Sequence, residues 1–196
     1  MTAILIVCEG NVCRSPYVAG VLRAGLDAVA PGQFHVSSAG TTAVAGMPVF
    51  PRSAAAAAHH GVDLGGIVST PLTARLLDRA DLVLTMERTH RAAVLDLAPA
   101  LLRRTFTLRE FERLVRPLLD QDAVDEHFWQ AFPRLVARSR LTTAPAVPDD
   151  DDIADPVRGD AADHERMCRL ADAAIDVVVR AARATEGADR ARTAGA

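Results

Sequence analysis

The chain has 196 residues, 49% of them hydrophobic, and a formal net charge of -3. That length predicts a single domain with a substantial core, and the weak net charge excludes a general electrostatic pull toward nucleic acid or an anionic membrane. No apolar run approaches the ~20 residues that span a bilayer.

Residues 3–7, Ala-Ile-Leu-Ile-Val, read as a fully buried strand. The segment Cys8 to Ser15 follows as a tight loop, and residues 16–30 read as a helix with Val18, Val21, Leu22 and Leu26 at helical spacing. A short second strand, Phe34 to Ser38, runs into Ala39-Gly40-Thr41. Pro51, an alanine run and Gly61 predict a helix over 51–60. A short helix over 73–79, a strand over 81–86, a helix over 88–97 and a strand over 104–108 come next. Alternation of strands and helices in this order argues for a parallel sheet covered on both faces. Helices are expected over 109–119 and 124–138, and residues 142–148 read as a loop. The four carboxylates Asp149 to Asp152 read as a solvated charge run that keeps this part of the chain exposed. A long helix is expected over 161–184, followed by a disordered tail over 185–196.

The chemistry concentrates between the first strand and the first helix. Cys8 opens the loop and Arg14 closes it, so the main-chain N–H groups between them can converge on one concavity at a helix N-terminus. A helix terminus and an arginine both favour a thiolate over a thiol. Arg14 can fork two donors onto two phosphate oxygens, which a lysine cannot do. Gly10 lets the main chain approach an anion, and Asn11 tolerates left-handed geometry and can tie the loop through its amide. Ser15 sits where its hydroxyl can donate to the Cys8 sulfur, and Pro16 suits a first helical turn. Taken alone, Cys8 would be an inert buried cysteine and Arg14 a surface charge. Their register with Gly10, Asn11 and Ser15 makes the loop a socket for a tetrahedral dianion with a sulfur nucleophile at its floor.

The run Val7-Cys8-Glu9-Gly10-Asn11-Val12-Cys13-Arg14-Ser15-Pro16 resembles the V-C-x-G-N-x-C-R-S-P pattern of the low-molecular-weight protein tyrosine phosphatases at each fixed position. The resemblance continues through Val36 to Thr41, Ala80 to Met86 with His90, Phe106 to Leu108, and Asp155-Pro156 with the C-terminal helix. It leaves out about 112–148, an enlarged segment, and the tail. It implies a three-layer α/β sandwich built on a four-stranded parallel sheet in the order 2-1-3-4, as one phosphatase domain over residues 1–184. It also implies hydrolysis of phosphomonoesters through a phosphocysteine on Cys8. Arg14 would stabilise the transferring phosphoryl group, and Asp155 would be the general acid. Glu9, Gly10, Asn11, Val12, Cys13 and Ser15 would complete the phosphate-binding loop.

The implied substrate is a phosphorylated protein or a small aryl phosphate, with no cofactor, no metal, and no nucleic-acid or membrane partner. Val12 leans toward phosphotyrosine, since arginine-phosphatase relatives carry threonine there. Cys13 has two readings, a small buried hydrophobe under the loop and a resolving thiol that would trap oxidised Cys8 as a disulfide. Three cysteines are too few for a disulfide scaffold and no Cys/His cluster has zinc-site spacing, so a cytoplasmic location is expected. The N-terminal apolar run is also too short, and lacks the basic flank, for a secretory signal.

The sequence departs from the family's pattern at three places. Val157 and Arg158 follow Asp155-Pro156 where the family carries tyrosines, the loop after Gly40 has no aromatic, and Ile67-Val68-Ser69-Thr70 stands where a histidine brace is usual. Phe128, Trp129 and Phe132 either pack in the core or reach over the site to supply the missing aromatics. His59, His60 and His90 read as helix-surface or capping residues, and Cys168 as core. The alternatives are an arsenate reductase, which needs two further cysteines where residues 60–130 have none, and a weakly active anion-binding member of the family. A sugar-phosphotransfer carrier holds phosphate on a similar cysteine, but lacks the equivalents of Arg14 and Asp155.

Overall fold

The computed structural model describes residues 1–121, 123–125, 127–140 and 147–194. The expected loop at 142–148 therefore lies almost wholly outside the described residues. Four strands form one parallel sheet in the order 2-1-3-4: β1 (Thr2–Cys8), β2 (Phe34–Gly40), β3 (Leu82–Thr85) and β4 (Thr105–Thr107). Ile4 pairs with Val36 on one side and Leu82 on the other, so β1 is central and its polar backbone is satisfied on both edges. Successive β1 side chains then enter opposite layers. Ile4 and Ile6 join a core with Val36, Leu84 and Phe106, whereas Leu5 and Val7 join a second core with Val83, Val94 and Leu101.

The larger core is covered by α1 (Arg14–Val29), α5 (Leu108–Asp120), α6 (Phe128–Ser139) and α7 (Ala161–Ala194). The smaller is covered by α3 (Ala74–Asp78), α4 (Arg88–Leu97) and a 3₁₀ turn, Pro99–Arg104. The short helix α2 (Pro51–Ala58) packs against α1 and α7. The layered architecture expected from the sequence is thus present, with both faces of a parallel sheet buried.

Helix α5 starts at Leu108, one residue before its expected start, because Thr107 builds a reciprocal capping box with Glu110. Arg140, just past α6, pairs with Glu110 and lies 4.0 Å above the Phe106 ring. Phe132 is buried against Phe106 and Phe111, Phe128 is buried against Phe132, and Trp129 packs edge-on to Phe34. These aromatics fill the core and do not reach the phosphate loop, which settles that choice in favour of packing.

Two expectations are corrected here. Helix α7 does not stop at 184: residues 185–194 continue it, and only 195 and 196 of the expected tail lie outside the described residues. That segment is rich in alanine and arginine, strong helix formers that extend an already nucleated helix at little cost. The carboxylate run is solvated only in its first half: Asp149 and Asp150 are exposed, whereas Asp151 is buried and Asp152 is half-buried. Asp149 to Asp151 lie in a 3₁₀ turn, Pro148–Asp151, and Asp151 is 7% exposed, held by Arg113. The arginines that neutralise the run come from α4 and α5, which pattern reading did not place beside it.

Candidate active site

Parallel strands collect ligand sites at their carboxyl ends, where the strand-to-helix loops gather. Cys8 is the last residue of β1, and the eight-residue span to Ser15 leads directly into α1. No side chain caps the first turn of α1, so its N–H groups remain directed at the loop. Asn11 adopts φ 53°, the left-handed geometry expected of it, and its main-chain N–H donates to the Cys8 sulfur at 3.3 Å.

Ser15 Oγ lies 3.0 Å from Cys8 Sγ and accepts a hydrogen bond from Asn11 Nδ2 at 2.8 Å. Since the amide occupies an acceptor position, the Ser15 proton is free to point at sulfur and stabilise its anionic form. Asn11 Nδ2 also donates to Ser38 Oγ, and the Thr70 N–H donates to Asn11 Oδ1 at 2.8 Å. Asn11 therefore ties three segments together. The position expected to lack a histidine brace supplies a backbone donor instead, the Thr70 amide.

Gly40 sets the spacing between this loop and β2. A Cβ there would meet Glu9 O at 2.4 Å and Asn11 N at 2.8 Å. A Cβ on Gly10 meets nothing closer than Val12 Cγ2 at 3.7 Å. The close backbone approach within the folded chain thus falls on Gly40, which pattern reading did not single out.

Arg14 is 1% exposed and its guanidinium is held by three acceptors. Nη1 donates to Glu87 Oε1 and to Ile153 O, and Nη2 donates to Asp155 Oδ2 at 2.7 Å. Its Nε is buried and has no partner. Asp155, 141 positions away in the chain, is thereby brought beside the loop, with Val157 N donating to its other oxygen at 3.0 Å. Cys8, the loop residues Glu9 to Cys13, Thr42, Asp155, Val157 and Arg158 line one cavity of about 510 Å³. Its lining contains no aromatic side chain, as the sequence anticipated.

Glu87 was missed by pattern reading. The available signal was its place two residues after β3, at the same sheet edge as the loop. His90 departs from its expected surface position: it is 5% exposed, and its pKa is pushed below the ordinary histidine value, first by burial and then by the Arg14 guanidinium. It adds no positive charge to the site at neutral pH. His59 and His60 are exposed as expected, although His60 Nε2 lies 3.1 Å from Tyr17 Oη, and Cys168 is only partly buried.

Cys13 lies beneath the loop at 2% exposure and accepts a hydrogen bond from Ser53 Oγ at 3.2 Å. Burial is the chief reason that its pKa is pushed up to about 11. In the native protein at pH 8, iodoacetamide should therefore modify Cys13 roughly a hundredfold more slowly than in the urea-unfolded chain. Peptide mass spectrometry over a time course measures this, and equal rates in the two states would refute it.

A cysteine, an arginine and a carboxylate converging on an anion cavity at the carboxyl edge of a parallel sheet define a cysteine-based phosphatase. The sequence relationships give the same class. The family model for low molecular weight phosphotyrosine protein phosphatase matches residues 3–122. The probable low molecular weight protein-tyrosine-phosphatase EpsP of Ralstonia nicotianae is 38% identical over 110 residues, covering 56% of this chain and 72% of that one. The corresponding Wzb of Salmonella typhimurium is 40% identical over 100 residues, covering 49% and 61%. Among solved structures, Vibrio vulnificus Wzb in complex with benzylphosphonate superposes with a TM-score of 0.64 at 25% identity, over 91% of this chain and 97% of that one. The YwlE arginine phosphatase from Geobacillus stearothermophilus has a TM-score of 0.67 over 91% of each chain; at 24% identity it speaks for the fold alone. The chain belongs to the low-molecular-weight protein-tyrosine-phosphatase family. Asp155 lies beyond the residues that the family model matches, so its place at the site rests on the geometry.

Proposed function

We propose that the chain hydrolyses phosphotyrosine in proteins, with Cys8 as nucleophile, Arg14 as the phosphoryl clamp and Asp155 as the proton donor. The observation that carries this reading is one cavity lined by both Cys8 and Asp155: Cys8 Sγ lies beside the Asn11 N–H and Ser15 Oγ, and the buried Arg14 guanidinium donates through Nη2 to Asp155 at the cavity wall. The unpartnered Arg14 Nε is a buried donor that a phosphate oxygen would satisfy.

A substrate dianion entering the cavity takes the loop N–H groups together with Arg14 Nε and Nη2. It thereby displaces Asp155 from Nη2, and the freed carboxylate takes up a proton from solvent and turns to the leaving oxygen. Glu87 keeps hold of Nη1, so the guanidinium stays in plane. The Cys8 thiolate attacks phosphorus in line, the P–O bond to the phenol breaks, and Asp155 gives its proton to the departing oxygen. In the second half, Asp155 takes a proton from water, whose oxygen attacks phosphorus and expels the Cys8 thiolate. The Ser15 hydroxyl is placed to stabilise that leaving sulfur. The sum is a phosphomonoester plus water giving an alcohol plus phosphate.

Val12 and Val157 give the cavity apolar walls suited to an aryl ring, which is why phosphotyrosine is preferred over phosphoserine. The three free cysteines fit a reducing cytoplasm. No described helix is long and apolar enough to cross a membrane.

Asp155→Asn tests the proposal. Without the donor, kcat/KM should fall roughly 10²-fold on a phosphotyrosyl peptide and much less on p-nitrophenyl phosphate, whose leaving group needs little help. Phosphoserine and phosphoarginine peptides run beside these substrates test the preference for phosphotyrosine. Equal losses on good and poor leaving groups would remove Asp155 from the acid role.

A further inference from the structure

We infer that Arg113 and Arg88 are positioning residues for the proton donor, acting on Asp155 through ion pairs to Asp151 and Asp152. The inference rests on the acid role given to Asp155 above.

Asp155 sits on a stretch with little regular structure: a 3₁₀ turn ends at Asp151, and α7 begins only at Ala161. Its bond to Arg14 Nη2 is given up when substrate enters, so a support outside the site must hold it then, because a catalytic donor misplaced by about 1 Å can lose on the order of 10²-fold in rate. Three consecutive residues do so. Asp151 makes a two-pronged pair with Arg113 of α5, at 3.1 Å to Nε and 2.7 Å to Nη2. Asp152 is held by Arg88 at the start of α4: its Oδ2 accepts from both Nε at 3.1 Å and Nη2 at 3.0 Å, and its Oδ1 accepts from the Arg88 main-chain N–H at 2.8 Å. Ile153 N then donates to Met86 O at 2.8 Å. Arg109 adds a further tie through Nε to Asp150 O at 2.9 Å.

Two-pronged arginine–carboxylate pairs fix orientation as well as distance. The Asp151 pair is mostly buried, with side-chain exposures of 23% for Arg113 and 10% for Asp151, so solvent screens it less than a surface pair. The Arg88 pair is more exposed, at 44% and 24%, and serves mainly through geometry. Arg88 is also the immediate neighbour of Glu87, the partner of Arg14. One corner after β3 thus sets both the phosphoryl clamp and the donor loop. The separation of Asp152 from Asp155 is only three residues, about 10 Å of extended chain, so slack at the staple reaches the carboxyl.

The test compares kcat/KM on phenyl phosphate, a poor leaving group, with p-nitrophenyl phosphate, a good one, for Arg113→Ala, Asp151→Asn and Arg88→Ala. A positioning role predicts roughly tenfold losses on phenyl phosphate for the first two and less than about twofold on p-nitrophenyl phosphate, with Arg88→Ala between them and wild type. Circular dichroism melting confirms that each variant is folded at the assay temperature. If Arg113→Ala fails to fold, Asp151→Asn, which nearly preserves shape, carries the same comparison. An unchanged ratio between the two substrates, whether activity is intact or lowered on both, overturns the inference. Asp155→Asn runs in parallel: if it too leaves the ratio unchanged, the acid role has failed, and not merely its support.

Discussion

Cys8→Ser is expected to lower turnover of p-nitrophenyl phosphate by on the order of 10⁵-fold while leaving phosphate binding intact. A serine hydroxyl is nearly isosteric with the thiol, so the Asn11 and Ser15 contacts keep their places. What disappears is the sulfur nucleophile, far more reactive toward phosphorus than a neutral hydroxyl. Steady-state kinetics with isothermal titration of inorganic phosphate separates the two effects. Loss of anion binding together with activity would mean that the loop had collapsed, and retained activity would remove Cys8 from the chemistry.

Arg14→Lys should cost about 10³-fold in kcat/KM, although the charge is retained. The guanidinium spans Glu87, Ile153 O and Asp155 while its Nε faces inward; one ammonium cannot hold those acceptors and also fork onto two phosphate oxygens. Its partners also lose a buried donor, so stability should fall by about 1–3 kcal/mol, read as a lower midpoint in urea. The diagnostic result is a loss seen mainly in kcat/KM and in inhibition by phosphate. A variant with wild-type kcat/KM and only a lower urea midpoint would assign Arg14 a purely structural part.

The loop was legible because its chemistry is local. Cys8, Asn11, Arg14 and Ser15 lie within one strand–loop–helix turn, and spacing alone places them around one concavity. The sheet was legible for a similar reason, since β1 is a continuous apolar run and each later strand is followed by a helix. What pattern reading missed depends on distant pairing. Asp151 and Asp152 look solvated until α4 and α5 bring Arg88 and Arg113 beside them. Glu87 is an ordinary helix-start residue until Arg14 folds against it. His90 has the sequence context of a surface helix and is buried only because that face of α4 meets the loop. The far end of α7 was misread for another reason: small and polar composition suggested a loose tail, whereas alanine and arginine sustain a helix already begun.

The account turns on a covalent bond between phosphorus and the Cys8 sulfur. Rapid quench of the enzyme with p-nitrophenyl phosphate under neutral-to-alkaline conditions, followed by peptide mass spectrometry, tests it most directly. Asp155→Asn serves best, because the second half-reaction also needs that carboxyl and the intermediate should accumulate. The predicted result is a sulfur-linked phosphate on the peptide containing Cys8, formed within one turnover and released as inorganic phosphate. Phosphate carried on another residue, or steady turnover with no phosphorylated Cys8 at any quench time, would contradict it.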